Sequence, residues 1–593
     1  MPHLSVSADD PLFSGPAMPT HIVMITTEAV PLAKTGGLAD VCGSLPPVIH
    51  DADHHVTLIM PAFASIYRSG LSIESTDISF AIDLGPNRLI GGRLLRTELP
   101  AAAPGVGAVE VLLIDQPQYF AREGLYGPPG DAYADNDARF IFFARAAIVA
   151  MGRWFGEGHC GSNHQDSEPR ASDGATTESD GGTTESDGSP SGRLAGAPVA
   201  IDIIHCHDWQ SALVPALLQE ISGASSRMRQ VFERTKTVLT IHNLGYQGHF
   251  GGDSFPMTGL DWAAFRSETF EYYGGMNFLK TGLLTADKIT TVSPRYAEEI
   301  CTPIHGCGLD GILRSRQSDL VGILNGIDTS VWNPRADPHL FANYGVEDWR
   351  KGKAANKSGL QEQLGLPVDA DVPLLGLVGR LAQQKGWDMI LPVMVSHLQQ
   401  RRPVQWAVLG SGDGAMEAEL SQLREAHPEN LGLHIGFDEA LAHRIEAGAD
   451  AFVMPSHYEP CGLNQLYSLR YGTVPIVTPT GGLWDTVVDA TADNLRHGIA
   501  TGLHLGDWTP EALDAAIGQA LSIRYHEPQQ WEQMVRTGMS ADWSWDRSGQ
   551  AYRRLYRDMI GDHPFGDRRF GDRRFGDRSF GESGVEPDDF PSA

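Results

Sequence analysis

The sequence predicts an α/β protein with two doubly wound domains, each built on a mostly parallel sheet. Short, continuously apolar runs recur along the 593 residues, and such runs are typical of strands buried on both faces. Helical patterns separate the runs, so βαβ units are expected. The series breaks once, between about Asn333 and Val372, which divides the chain into two halves.

Eleven runs qualify as strands of these two sheets. In the first half they are residues 21–27, 55–61, 109–115, 201–207, 236–242 and 288–292. In the second half they are residues 373–379, 404–410, 431–436, 451–455 and 474–478. Ligands of such sheets bind beyond the carboxyl ends of the strands, so two facing domains predict a binding cleft between them.

The remaining segments complete the predicted organisation. Residues 156–197 are nearly free of apolar side chains and repeat TTESDG, which predicts a disordered insertion. The C-terminal tail repeats FGDRR and is also expected to be disordered, with a weak interaction arm as the alternative. The predicted units are an extension (1–20), an N-terminal domain (21–332), a connection (333–372), a C-terminal domain (373–540), a closing helix (541–560) and the tail (561–593).

Composition and charge exclude several classes of protein. A content of 41% hydrophobic and 20% charged residues is typical of globular chains, and no apolar run approaches the ~20 residues of a membrane helix. The net charge of −29 disfavours nucleic acid as a partner. Six cysteines without a C-x-x-C pair suit a reducing cytoplasm, and the N-terminus lacks the features of a secretory signal.

Two loops that follow predicted strands combine glycines with cations. PLAKTGGLADV contains Lys34 and the pair Gly36–Gly37, and glycines let main-chain amides approach an anion closely. GRLAQQKG contains Arg380 and Lys385, whose planar fork and point charge suit a diphosphate. The alternatives are an ordinary strand–helix turn and a solvated pair of charges.

A third loop, PSHYEPCGLNQLY, places Glu459 between a buried strand and a probable helix. The amides that follow Gly462 are well placed to hold a phosphate at a helix N-terminus. Glu459 could instead serve only as a helix cap. A second glycine pair, Gly481–Gly482, follows the next predicted strand.

Histidines gather at the ends of two neighbouring strands. His205 and His207 alternate along the strand 201–207, so we expect only one of them to face the cleft, and a zinc site there lacks further ligands. His242 ends the strand 236–242, and Asp208 precedes a helix. A structural histidine and a helix cap are the alternatives for these two residues.

A resemblance to a known family is carried by six segments in order: KTGGLADV, HCHDW, IHNLGYQG, ILNGID, GRLAQQKG and EPCGLNQLYSLRYGTVPIV. They resemble bacterial glycogen synthases and plant starch synthases, glycosyltransferase family 5, from about His21 to Tyr556. The resemblance implies the GT-B fold, with Rossmann-like acceptor and nucleotide-sugar domains facing across a deep cleft. It further implies transfer of glucose from ADP-glucose to the non-reducing 4-OH of an α-1,4-glucan, with retention and without a metal or other cofactor.

The resemblance also implies roles for single residues. Cations would stabilise charge on the departing diphosphate, Glu459 would contact the donor glucose, and Phe437 would pack on adenine. The main-chain carbonyl of His242 would lie near the anomeric carbon. The implied catalytic residues are Glu459, His242, Asp208, Lys34, Arg380 and Lys385. The implied substrate-binding residues are Lys34, Gly36, Gly37, Glu28, Asp40, Tyr133, Asn325, Arg380, Lys385, Phe437, Cys461, Gly462, Leu463, Gly481 and Gly482.

Three alternative functions stay open at this point. One is a dinucleotide enzyme, because residues 410–415 match G-x-G-x-x-A, although a lone fingerprint is weak. Another is a catalytically silent glucan-binding protein. The third is the same transfer reaction with UDP-glucose as the donor. Phe437 and the bacterial-type motifs favour ADP-glucose over UDP-glucose.

Overall fold

The computed structural model describes residues 19–101, 106–128, 131–159, 196–219 and 225–561. Most of the predicted N-terminal extension, most of the insertion 156–197 and nearly all of the tail therefore lie outside the described residues. Within the described ranges, none of the helices has both the length and the apolar composition that a bilayer crossing requires.

The strands form two large sheets and one small one. In the first, the strand order is β12-β11-β7-β6-β1-β2-β5-β4-β3, parallel except for β3 and β4 at one edge. In the second, the order is β15-β14-β13-β16-β17-β18, parallel throughout, and β8, β10 and β9 form a small antiparallel sheet. The bounds are β1 (Thr20–Ile25), β2 (His54–Pro61), β3 (Glu74–Asp83), β4 (Leu89–Leu99), β5 (Val109–Asp115), β6 (Ile203–His207), β7 (Lys236–Ile241), β8 (His249–Gly251), β9 (Glu271–Tyr272), β10 (Gly275–Asn277), β11 (Lys288–Thr291), β12 (Leu320–Gly322), β13 (Leu374–Val378), β14 (Gln405–Gly410), β15 (Leu431–Ile435), β16 (Ala451–Met454), β17 (Val474–Val477) and β18 (Leu503–His504).

The α/β class with parallel sheets is confirmed, and each predicted strand is present with small shifts at its ends. Seven strands of the described residues were not predicted: the short strands β8, β9, β10, β12 and β18, and the two long strands β3 and β4. The residues of β3 and β4 alternate between buried and exposed, because this antiparallel ribbon has one face in solvent, so no continuous apolar run marks it.

Helices cover the sheets and bury their apolar faces against the strands. The bounds are α1 (Gly37–Ile49), α2 (Pro117–Phe120), α3 (Asn136–Trp154), α4 (Asp208–Ser211), α5 (Val214–Leu218), α6 (Ser226–Phe232), α7 (Phe278–Thr285), α8 (Pro294–Glu299), α9 (Asp310–Ser315), α10 (Trp349–Leu364), α11 (Trp387–Gln399), α12 (Gly414–Ala426), α13 (Glu439–Gly448), α14 (Asn464–Tyr471), α15 (Gly481–Thr486), α16 (Ala492–His497), α17 (Pro510–His526), α18 (Pro528–Ser540) and α19 (Trp545–Gly561).

The last helix returns to the first half of the chain and packs on it. Tyr552 and Tyr556 of α19 are buried in the same apolar core as β1 and β6. The guanidinium of Arg553 donates a hydrogen bond of 2.6 Å to the Val48 carbonyl at the end of α1 and lies 2.9 Å from the Asp51 carboxylate. The two halves are therefore joined at both the connection and this helix.

The chain crosses between the halves at two adjacent segments. The amide of Ile327 donates to the Trp543 carbonyl at 2.8 Å, and Ile327 forms a parallel bridge with Ser544. A Cβ added to Gly326 would lie 2.7 Å from the Trp545 Cα. The crossing is thus closely packed, and it requires a residue without a side chain at position 326.

We expect Gly326→Ala to lower the melting temperature, because overpacking at such a contact costs about 1–3 kcal/mol. Differential scanning calorimetry measures the shift. Gly506→Ala is the control, because its added methyl would have no atom within 4 Å among the described residues. An unchanged melting temperature in Gly326→Ala would contradict the close packing of the crossing.

Candidate active site

The candidate site lies where the carboxyl ends of the two large sheets face each other. The strand order reverses at β1 in the first sheet and at β13 in the second, and such switch points form crevices. Loops from both sheets meet there. A Cβ placed on Gly37 would lie 3.8 Å from Leu463 Cδ1, and the guanidinium of Arg380 donates to the Tyr246 hydroxyl at 3.1 Å.

Glu28 anchors the glycine-rich loop that precedes α1. Its buried carboxylate accepts hydrogen bonds from the amides of Thr35 at 2.6 Å and Gly36 at 3.2 Å, and from the Tyr126 hydroxyl at 2.7 Å. The Gly36 amide, predicted to contact substrate, is therefore already engaged. The N-terminus of α1, which begins at Gly37, has no side-chain cap and supplies the remaining donors of this loop.

The predicted cations lie on both sides of the crevice, and two of them are paired with carboxylates. Lys34 Nζ lies 2.7 Å from Asp40, and Lys385 Nζ lies 2.6 Å from Glu459. Glu459 is buried and also accepts from the Ser456 hydroxyl at 2.9 Å. Arg380 and Lys385 line one small pocket together with Gly379, Ser456 and Asn464.

The glycines of the second half serve close packing. Gly462 has a positive φ of 70°, and it precedes α14, whose N-terminus carries no side-chain cap. A Cβ on Gly481 would lie 2.1 Å from the Glu459 carbonyl oxygen, and one on Gly482 equally close to that of Cys461. These two glycines let the start of α15 pack on the Glu459 loop.

Glu299, on α8 of the first half, accepts hydrogen bonds from the Gly481 amide at the start of α15, which was expected to face substrate. Both of its carboxylate oxygens lie 3.1 Å from the Gly481 nitrogen. In return, Asp485 of α15 accepts from the Ser293 hydroxyl at 2.6 Å and the Arg295 amide at 3.0 Å at the start of α8. No motif in the sequence marked Glu299, because its partner lies in the other half of the chain.

Asp208 holds the main chain at His242. Its buried side chain accepts from the His242 amide at 2.7 Å, and its φ of 55° is unusual for a residue other than glycine. Burial raises the pKa of Asp208 to about 7 and lowers that of His242 to about 3, so the imidazole is neutral. Asp208 is therefore a positioning residue for the segment that begins at His242.

The expectation for the strand histidines was wrong. Residues two apart on a strand point to the same face, and the rings of His205 and His207 lie 4.2 Å apart. His205 Nδ1 is 2.7 Å from the Tyr556 hydroxyl of α19, whereas His207 Nδ1 is 3.0 Å from His242 Nε2. The expectation that further metal ligands are lacking was also wrong, because Cys42 lies beside His207 and His242.

The other predicted residues differ in their surroundings. Asn325 is buried, and its Oδ1 has no hydrogen-bond partner among the described residues, so it can accept from a ligand. Burial raises the pKa of Cys461 to about 12, which keeps this thiol protonated and disfavours a nucleophilic role. Phe437 is 82% exposed, so its ring is accessible to a ligand.

Tyr133 has a structural environment. Its hydroxyl donates to the Glu123 carbonyl, and the guanidinium groups of Arg122 and Arg139 each lie 4.9 Å from the centre of its ring. These contacts fix the loop that also holds Tyr126 against Glu28. Tyr126 and Tyr246, which the sequence analysis did not select, thereby join the candidate site.

Comparisons with known proteins agree with this geometry. The model of the family "Starch synthase catalytic domain" matches residues 21–160 and 192–315, and that of "Glycosyl transferases group 1" matches residues 363–537. A glycogen synthase from Rhodopirellula baltica is 53% identical over 91% of this chain and 98% of its own length. One from Syntrophotalea carbinolica is 41% identical over 92% of this chain and 99% of its own.

A solved structure is also similar over most of the chain. The catalytic domain of starch synthase IV from Arabidopsis thaliana, bound to ADP and acarbose, has a TM-score of 0.76 and 28% identity. The similarity covers 92% of this chain and 100% of that one. The two parallel sheets thus form a GT-B fold, and the chain belongs to the glycogen and starch synthases, a family of retaining glycosyltransferases.

Proposed function

We propose that the protein is a glycogen synthase that transfers glucose from ADP-glucose to the 4-hydroxyl at the non-reducing end of an α-1,4-glucan. The observation that carries the proposal is the position of three cations on loops that line one crevice, Lys34 before α1 and Arg380 and Lys385 after β13, in a chain with a net charge of −29. An anionic donor is held there against the overall field of the protein. The relatives' names support glycogen as the product, and the ADP bound to the structural neighbour supports an adenine nucleotide in the donor.

The departing group is a nucleoside diphosphate, so negative charge develops on its oxygens in the transition state. Lys34 reaches this charge from the first half, and Arg380 and Lys385 reach it from the second. The uncapped N-termini of α1 and α14 add main-chain donors with fixed directions. Donors that are already in place stabilise the transition state without reorganisation.

The glucose ring acquires positive, oxocarbenium-like character as the bond to the diphosphate breaks. Glu459, held by Lys385 and Ser456, binds the sugar from the second half. Asp208 orients the main chain at His242 so that its carbonyl faces the anomeric carbon. Asn325 accepts a hydrogen bond from a sugar hydroxyl through its unpartnered oxygen.

The division of labour follows the two sheets: residues 21–332 hold the glucan acceptor, and residues 373–540 hold the nucleotide sugar. The connection 333–372 and the closing helix 541–560 join them. We further propose that the enzyme acts in the cytoplasm and needs no nucleic acid, membrane or cofactor.

The test is an assay of radiolabelled glucose incorporation into glycogen. We expect incorporation from ADP-glucose and much less from UDP-glucose. A preference for UDP-glucose would refute ADP-glucose as the donor. No incorporation from either donor would refute the proposed glucosyltransferase activity.

Phe437 tests the position of the base. Base–aromatic stacking contributes about 1–3 kcal/mol, so we expect Phe437→Ala to raise KM for ADP-glucose roughly 5- to 150-fold. The kcat should stay unchanged, because the stack is equal in ground and transition states. The control is Leu89→Ala, which changes an exposed apolar residue at the start of β4. A wild-type KM in Phe437→Ala would place adenine elsewhere.

A further inference from the structure

Three side chains that are far apart in sequence converge behind the wall of the crevice. Cys42 lies on α1, His207 ends β6 and His242 follows β7, and one ligand atom from each lies within 4.8 Å of the other two. Cys42 and His207 are fully buried, and His242 is half-buried at the crevice. The parallel pairing of β6 with β7 brings the two histidines together, and α1 brings the thiol over them.

His207 lacks one of the hydrogen bonds that its buried ring could make. Nδ1 of His207 lies 3.0 Å from Nε2 of His242, but Nε2 of His207 is buried and has no hydrogen-bond partner in the described part of the chain. A buried nitrogen without a partner is costly and uncommon. The ring of His207 therefore has a nitrogen that is free to bind a ligand.

We propose that Cys42, His207 and His242 bind a borderline divalent transition-metal ion such as Zn²⁺, and that the bound ion inhibits glucosyl transfer. A tetrahedral zinc ion with bonds of about 2.0–2.1 Å to nitrogen and 2.3 Å to sulfur separates its ligand atoms by roughly 3.3–3.6 Å. The three side chains reach this arrangement with small movements. One thiolate and two imidazoles form a set that zinc prefers and magnesium does not.

The surroundings favour a cation at this point. The side chain of Asp208 accepts a hydrogen bond from the His242 amide at 2.7 Å, so an acidic group adjoins one of the three ligand residues. Binding releases the thiol proton of Cys42 to solvent as the sulfur–metal bond forms. The half-buried ring of His242 provides a route of entry from the crevice.

Inhibition follows from charge and geometry, and this part rests on the proposed function. A dication behind His242 lies near the position where the glucose ring becomes positive, so it raises the barrier to transfer. The ion also holds the His242 ring against the strand. Binding itself is independent of the proposed activity, which allows the two statements to be tested separately.

The experiment is titration of metal-free full-length protein with Co²⁺, which accepts the same tetrahedral ligands and gives a near-ultraviolet absorption band when a thiolate binds it. We expect the band to saturate at one Co²⁺ per chain in wild type and in Cys206→Ser, a buried thiol between the two strand histidines. Cys42→Ser should lose it, with Cys42→Ala as a second variant if serine impairs folding. No band, or an equal band without Cys42, overturns the site.

A transfer assay with glycogen then tests the inhibition. We expect Zn²⁺ to inhibit reversibly on addition of EDTA, Mg²⁺ to have no effect, and the half-inhibiting Zn²⁺ concentration to rise at least ~10-fold in Cys42→Ser. If the cobalt band is present but Zn²⁺ does not inhibit transfer, the metal site is supported and the proposed inhibition is refuted. A cobalt band in a chain that transfers no glucose at all overturns the proposed function and keeps the site.

Discussion

Lys385→Gln lowers kcat/KM for ADP-glucose by at least ~30-fold, because losing one preorganised donor costs at least about 2 kcal/mol of transition-state stabilisation. Lys34→Gln has an effect of the same size from the opposite side of the crevice. Glutamine keeps much of the length and polarity of lysine but not its charge. Steady-state kinetics with radiolabelled ADP-glucose and glycogen measure both losses.

The matched control is Lys351→Gln, an exposed lysine on α10 outside the residues of the crevice. Its kcat/KM should equal that of wild type. Lys385 also pairs with Glu459, so the melting temperature of Lys385→Gln shows whether folding contributes to the loss. Wild-type kinetics in both Lys34→Gln and Lys385→Gln would refute the assignment of these cations to the diphosphate.

Glu459→Gln is expected to reduce kcat by about 10²–10³, the range for removing one group that acts on developing charge. The carboxylate is buried beside Lys385, so the substitution removes a negative charge at the proposed position of the sugar and leaves the lysine without this partner. The fall should be larger in kcat than in KM, because the charge on the sugar develops only in the transition state.

Glu419→Gln, on the exposed surface of α12, serves as the control for that substitution. It should leave both constants unchanged. Should Glu459→Gln instead raise KM alone, Glu459 would be a ground-state contact of the sugar, and its role in the chemical step would have to be abandoned.

Much of the fold was predictable because parallel strands buried on both faces leave continuous apolar runs. The antiparallel strands β3 and β4 were not, because polar residues on their exposed face interrupt the apolar run. The loops that carry Lys34, Arg380 and Lys385 were also predictable. Cations and glycines that follow a strand can be recognised in the sequence, and parallel sheets bring the carboxyl ends of their strands together at one edge.

The hydrogen-bond and packing partners of individual residues could not be predicted from the sequence. Whether the amide of Gly36 faces substrate or Glu28 depends on the direction of one N–H group. Contacts such as Glu299 with Gly481 join residues from different halves of the chain. The meeting of Cys42 with His207 depends on how α1 is rotated over the sheet. The error over the strand histidines was avoidable, since the two-residue period of a strand places them on one face.

The most direct test of the central claim is a crystal structure of the protein with ADP bound. We expect the diphosphate in the crevice between the two sheets, within hydrogen-bonding distance of Lys34, Arg380 and Lys385 and facing the N-terminus of α14. A diphosphate bound at any other surface of the protein would contradict it.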